Sequence, residues 1–242
     1  MNTTEQFAEL MHCPSLDAWR NLVFKLALDL GYERTLLAVL PGRNTPVEAK
    51  FAFLHSNYST DWRNRYDAEK MHLVDPTFTH CINKSIPLIW SPDIFTAGKS
   101  REMYEEACTH GLKSGITLPI HGAQGELGLL CFVTDTNPGK NFQRDAMAML
   151  PALACLRDFV YESSLRYIKS SRPADILPPV TPRELECLKW CAVGKSSWDT
   201  AQILRCSEAT INFHFSNMRR KFGVSSRQQV VVKAMRSGLF QL

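Results

Sequence analysis

Residues 170–180, SSRPADILPPV, hold three prolines and no apolar period, so no continuous core can run across them. Each proline fixes its own φ, removes a backbone donor and pushes the residue before it toward extended backbone. The segment reads as a semi-rigid linker. It divides the 242 residues into a body, 1–170, a linker, 171–180, and a tail module, 181–242. Charge follows the same division. Residues 1–180 carry 18 Lys/Arg against 20 Asp/Glu, whereas residues 181–242 carry 10 against 4. A near-neutral body with a basic tail points to a polyanion met by the tail alone.

The first residues, MNTTEQFAEL, lack the basic and apolar regions of a secretory signal. The best apolar run, GLLCFV at 128–133, falls far short of the roughly 18–20 residues that span a bilayer. A cytoplasmic location without membrane contact is expected. The 8 cysteines include no C-x-x-C pair, and Cys13, Cys81, Cys108, Cys131 and Cys155 are scattered. Cys187 and Cys191 share a helix face with Leu188 and Trp190 nearby, as small buried hydrophobes do. No disulfide, metal or cofactor is expected from this pattern.

In the body, Leu16, Trp19, Val23, Leu26, Ala27 and Leu30 form a helical stripe begun by a Ser15 cap and stopped at Gly31. Thr35–Leu40, ended by Pro41-Gly42, and Lys50–His55 read as strands. Ser59–Lys70 and Met103–His110 read as short amphipathic helices. Ile116–Ile120 and Leu127–Asp135 read as a hairpin joined through HGAQGE, and Phe142–Ile168 as a long helix that Pro151 kinks or restarts. Helices and strands without βαβ alternation predict an α+β fold, an antiparallel sheet with helices on its faces in an α/β/α sandwich.

The tail opens on Thr181-Pro182-Arg183-Glu184, a capping-box helix start, with Leu185, Leu188 and Ala192 as its apolar face and Gly194 as its end. Ser197–Leu204 is a second helix, Cys206-Ser207 a turn and new cap, and Ser226–Ser237 a fourth helix stopped by Gly238. The third helix carries Ile211, Phe215, Met218 and Phe222 as a core stripe. Its other faces present Thr210, Asn212, Phe213, Ser216, Asn217, Arg219, Arg220 and Lys221. Residues near its front can reach base edges, where Asn pairs with adenine, and the Arg-Arg-Lys run can meet phosphates, joined by Lys195 before the second helix. Read as structure alone, the run is a solvated basic face. Cap, turn, stripe and charge together favour a helix-turn-helix module that binds double-stranded DNA. His214, beside the stripe, fits packing or phosphate contact better than metal ligation.

TPRELECLKWCAVGKSSWDTAQILRCSEATINFHFSNMRRKFGVSSR resembles the effector domain of LuxR-type transcription regulators, with Glu184, Leu188 and Gly194 on hallmark positions. The body resembles the acyl-homoserine-lactone domain of the same family through Tyr58, Trp62, Asp75, Pro76, Trp90 and Gly115. HGAQGELG, WCAVGKSSW and NMRRKFGVSSR are particularly similar to the long-chain signal receptors of that family. The resemblance implies a quorum-sensing activator that binds an N-acyl homoserine lactone. It also implies a homodimer on palindromic promoter DNA and a contact to RNA polymerase.

For the ligand site, the resemblance implies that Trp62 reaches the lactone carbonyl, Tyr58 the amide carbonyl, and Asp75, with Thr77 beside it in an extended stretch, the amide N–H. Tyr58 and Trp62, at i and i+4, share a face if the helix starts early. Arg63 acts through water. Leu36, Phe78, Trp90, Thr117, Leu129 and Cys131 complete the wall, and Phe95 stands where a Tyr is usual. Cys131 occupies a position where similar receptors carry a Ser, and a thiol is the weaker donor. Leu129 and Phe78 are bulkier and Ala49 smaller than in those receptors, which reshapes the acyl pocket. The plain alternative makes Tyr58, Trp62 and Trp90 core aromatics and Asp75 a cap before Pro76.

Other functions find less support. A lactone or amide hydrolase could use Cys131 or Cys81 with His72, His80 or His121, but no nucleophile signature is present. A phosphorylation receiver would need βα alternation that the body lacks. A LuxR-type regulator that responds to a different small molecule is the alternative reading.

Overall fold

The structure, a computed structural model, describes residues 3–40, 52–96, 98–123, 125–171, 179–236 and 239–240. It forms two compact units, Met1–Ser171 and Arg172–Leu242. Pro41-Gly42, Ala49, Lys50, Gly238 and most of the linker lie outside the described residues.

The first unit is built on a five-stranded antiparallel sheet in the order β2-β1-β5-β4-β3. Its strands are β1 Arg34–Leu40, β2 Phe53–Ser56, β3 Leu88–Ile89, β4 Ser114–His121 and β5 Leu127–Thr134. β4 and β5 are the expected hairpin, registered with Thr117 opposite Cys131 and His121 opposite Leu127. β1 lies on the other side of β5, with Leu36 opposite Cys131 and Ala38 opposite Leu129. Gly128 sits opposite Val39 in that pair, where a Cβ would lie 2.5 Å from the Ala38 carbonyl oxygen. Only a glycine fits there.

Side chains alternate across the sheet with period two, so β1 and β5 sort their residues onto two faces. One face carries Leu37, Val39, Leu130 and Phe132. It is sealed by α1 Thr3–Ala8, α2 Leu16–Asp29 and α6 Lys140–Ser171, which supply Phe7, Trp19, Val23, Leu153, Leu156 and Val160. Trp19 sits at its centre with no exposed surface and donates its indole N–H to Ser163 Oγ at 2.8 Å. Each large apolar side chain fully buried here contributes about 1.5–3 kcal/mol. Pro151 lies inside α6 without ending it. The residue is exposed, so water can take the carbonyl that its missing N–H leaves free.

The other face carries Leu36, Leu129, Cys131 and Val133. Above it lie α3 Thr60–Ala68, α4 Pro76–Asn83 and α5 Lys99–Thr109. α5 begins four residues before the expected Met103, because its first turn, Lys-Ser-Arg-Glu, is polar and shows no apolar period. One condition is not met here, and one expectation fails. α3 begins at Thr60 behind a Ser59 cap, so Tyr58 precedes the helix. Asp75 and Thr77 do not lie in an extended stretch, because Asp75 caps α4 and Pro76 takes its first position.

The second unit consists of α7 Pro182–Ala192, α8 Ser197–Leu204, α9 Glu208–Phe222 and α10 Arg227–Arg236. Thr181 and Glu184 close the predicted capping box on α7. Its buried side is centred on Cys187 and Leu188, while Leu185 and Ala192 are only partly buried. Ser207 caps α9, and Ile211, Phe215, Met218 and Phe222 are its buried residues, as the stripe predicts. Arg205, in the left-handed region at φ 52°, makes the turn between α8 and α9.

Candidate ligand cavity and nucleic-acid interface

Between the sheet and helices α3, α4 and α5 the first unit encloses a cavity of about 340 Å³. Alternate residues of β1 (Leu36, Ala38 and Leu40) and of β5 (Leu127, Leu129 and Cys131) form its floor. Trp90, Phe95, Phe78, Met103 and Tyr104 add walls, so the space is mostly apolar with its polar groups gathered at one end.

That end holds Tyr58, Trp62, Arg63, Asp75, Thr77 and Cys131. Asp75 accepts from the Thr77 amide at 2.8 Å and the Thr77 hydroxyl at 2.7 Å through Oδ1, and from the Tyr66 hydroxyl at 2.9 Å through Oδ2. The cap and the cavity carboxylate are therefore one group. Burial pushes its carboxyl above the ordinary value, and the bonds from Thr77, Tyr66 and the Phe78 amide offset this only in part. Burial likewise drives the phenols of Tyr58 and Tyr66 well above their ordinary range, so both keep their hydrogens. The buried Tyr58 hydroxyl has no hydrogen-bond partner of ordinary geometry among the described residues. The Cys131 thiol lies beside it, pushed up to about 12 chiefly by burial, and is neutral at physiological pH.

Trp90 and Thr117 behave differently from their neighbours. The Trp90 indole N–H donates to Thr117 Oγ1 at 2.8 Å, and that hydroxyl meets Cys131 Sγ at 3.3 Å. Trp90 thus offers an apolar wall with its donor already used. Thr117, fully buried, is not among the lining residues and sits behind them. Gly115 makes room for the indole, since a Cβ there would come within 3.0 Å of the Trp90 ring. Trp62 packs edge-on against Tyr66, over which the Arg63 guanidinium sits at 5.5 Å while it forks onto Asp67 at 3.1 Å.

Sequence reasoning missed Tyr66, Cys81, Met103 and Tyr104, and the alternation of Ala38 and Leu40 with Leu36 was a usable but unread signal for the floor. No helix among the described residues is long and apolar enough to cross a membrane.

In the second unit, α9 exposes Asn212, Phe213, Ser216, Arg219 and Arg220, with Lys195 exposed just before α8. Phe213 is 63% exposed. Thr210 and Asn217 are half-buried, and the Thr210 hydroxyl meets the Ser207 cap at 2.9 Å. His214 is half-buried beside the stripe. Lys221 does not join the open basic face. Its ammonium donates to both oxygens of Glu184 at 2.9 and 2.7 Å and to the Pro179 carbonyl at 2.9 Å. Glu184 is only 3% exposed, and a buried carboxylate at the start of α7 recruits the nearest cation. Burial works against the charged carboxylate, but Lys221 and Thr181 outweigh it and hold the carboxyl below its ordinary value.

A profile of the autoinducer binding domain matches residues 15–164, and one of bacterial regulatory proteins of the luxR family matches residues 178–234. The chain is 34% identical to the transcriptional activator protein VanR of Vibrio anguillarum over 182 residues, 75% of each chain. It is 33% identical to the transcriptional activator protein LuxR of Aliivibrio fischeri over 189 residues, 75% of this chain and 72% of that one. Among solved structures, SdiA in complex with octanoyl-rac-glycerol aligns with a TM-score of 0.74 at 24% identity. That alignment covers 98% of this chain and 94% of that one.

Proposed function

We propose, for a chain that belongs to the LuxR family of autoinducer-binding transcriptional activators, that its signal is an N-acyl homoserine lactone. Its relatives are transcriptional regulators rather than enzymes, and the cavity serves as a receptor site. The observation that carries the lactone reading is the buried Tyr58 hydroxyl, which has only the weak Cys131 thiol beside it, in a mostly apolar cavity. An unsatisfied buried donor costs about 1–3 kcal/mol, and a ligand carbonyl removes that cost.

Trp62 and Tyr58 donate to the lactone and amide carbonyls, Asp75 with Thr77 receives the amide N–H, and Arg63 acts through water. The acyl chain lies over Leu36, Leu129, Phe78 and Trp90. Cys131 is a weak second partner for the amide. Thr117 acts from behind, through Trp90 and Cys131. The ligand-loaded chain forms a homodimer in the cytoplasm. It places one α9 helix in each of two major grooves roughly 34 Å apart on palindromic promoter DNA, and contacts RNA polymerase there.

The test is to purify the full chain after expression with a panel of acyl-homoserine lactones, then measure its melting temperature and its binding to promoter fragments. Stabilisation that rises with ligand concentration, together with salt-sensitive DNA binding, is the expected result. Absence of both overturns the reading. Cys131, a weak partner for an amide, favours a second reading in which the signal is a different small molecule, an acyl compound without the amide. Mass spectrometry of molecules extracted from the purified protein separates the two.

A further inference from the structure

The exposed face of α9 holds one polar side chain whose orientation is fixed from behind. Arg227, at the start of α10, donates through NH1 to Ser197 Oγ at 2.7 Å, and Ser197 Oγ donates to Asn212 Oδ1 at 2.8 Å. A guanidinium only donates, so Ser197 is its acceptor and passes its own hydrogen outward to the Asn212 carbonyl oxygen. Arg227 is itself held: its guanidinium lies 4.0 Å over the Phe215 ring, and NH2 donates to the Lys195 carbonyl at 3.2 Å. The relay thus runs from α10 through the first residue of α8 to the front of α9. The planar amide of Asn212 then carries its oxygen turned back toward the module, with Nδ2 on the opposite side.

Resting on the DNA reading above, we infer that Asn212 is a base-reading residue that presents donors only and selects guanine, with Ser197 and Arg227 as its positioning residues. Adenine offers a donor, N6, beside its N7 acceptor, and an Asn that pairs with both must supply its carbonyl oxygen. Here that oxygen is turned toward Ser197 at 2.8 Å, which leaves the amide NH2 as the group facing outward. Guanine offers N7 and O6, both acceptors, to which the amide NH2 can donate. This reverses the adenine pairing that the residue type alone suggests.

The test uses the full chain purified with its lactone and a pool of randomised duplexes, sequenced after enrichment. The position read by Asn212 is the one whose preference disappears in Asn212→Ala. In the wild type that position should favour guanine over adenine by about fivefold or more, the lower end of discrimination by a good base contact. Substitution of 7-deazaguanine at that position should lower wild-type affinity by a similar factor, an arm that needs no protein variant. Ser197→Ala should bring adenine to within about twofold of guanine there, because the amide is free to turn. Ser196 still caps α8 in this variant, and the acceptor lost to Arg227 should lower the melting temperature only modestly, leaving the fold intact for the selection. Adenine preferred by the wild type at that position overturns the inference. So does an unchanged motif in Ser197→Ala, or in Asn212→Ala. If the wild type enriches no site at all, the DNA reading itself fails, and this inference with it.

Discussion

Leu129 and Leu130 are neighbours in β5, yet they face two different solvents. Leu130 points into the sealed face, with no exposed surface, among Trp19, Phe132 and the α6 residues. Leu129 points to the opposite face and borders a cavity of about 340 Å³. One sheet therefore serves as the floor of a finished core on one side and of an unfinished one on the other. The finished side is held by its own packing. The unfinished side leaves to a guest part of the contacts that would otherwise complete it.

The largest test of that contrast is Leu130→Ala, which should lower stability by about 2–5 kcal/mol, with or without ligand. Leu129→Ala should cost only about 1–2 kcal/mol in the free protein, because the side chain already has empty space on one side. Its deficit should grow when ligand is present. Thermal melts of both variants, with and without lactone, measure this, and equal ligand dependence would erase the distinction between the faces.

The two units invite a second contrast through their buried carboxylates. Asp75 has neutral partners and its carboxyl is raised by burial, so the folded state holds its proton where the unfolded chain has lost it. Its contribution to stability should fall as pH rises from the ordinary 3.8 toward the raised value. Glu184 has Lys221 and is lowered from the ordinary 4.5. Its contribution is complete above that value and is lost as pH falls through the lowered one. Glu184→Gln should cost the second unit about 1–3 kcal/mol at neutral pH, moderated because Lys221 retains partial exposure, and should flatten the acid limb. An acid limb that stays steep would show that some other group sets it.

Tyr58→Phe should separate the free and loaded states more gently. It removes a buried hydroxyl whose neighbour is only the weak Cys131 thiol, so the free protein should hold or gain up to about 1 kcal/mol, while stabilisation by lactone shrinks. A loss of stability in the free variant would mean the hydroxyl already has a partner. The smallest effect belongs to Cys131→Ser: stability within about 0.5 kcal/mol, with tighter binding of amide ligands through the stronger donor. Isothermal titration against paired amide and ester ligands resolves it.

Most of the fold was legible because it rests on local signals. The Ser15 cap, the HGAQGE hairpin and the α9 stripe are each fixed by a few residues and a period. The site was less legible where one residue serves two purposes. Thr181-Pro182 reads as a helix start, whereas Asp75-Pro76, the same device, reads two ways, as a cap or as an extended ligand contact implied by the family resemblance. The structure grants both readings, cap and cavity. Tyr66 escaped notice because its role depends on Asp75, nine residues away, rather than on any pattern of its own. Lys221 was grouped with Arg219 and Arg220 by sequence adjacency. A helix turns about 100° per residue, which carries Lys221 round to Glu184 instead.

Oδ1 of Asp75 already accepts twice from Thr77, while Oδ2 accepts once, from Tyr66, and keeps a second lone pair. A guest N–H can therefore join the Tyr66 hydroxyl at Oδ2 without evicting it. Tyr66 holds that oxygen in place from one side, so a second donor meets an acceptor already oriented.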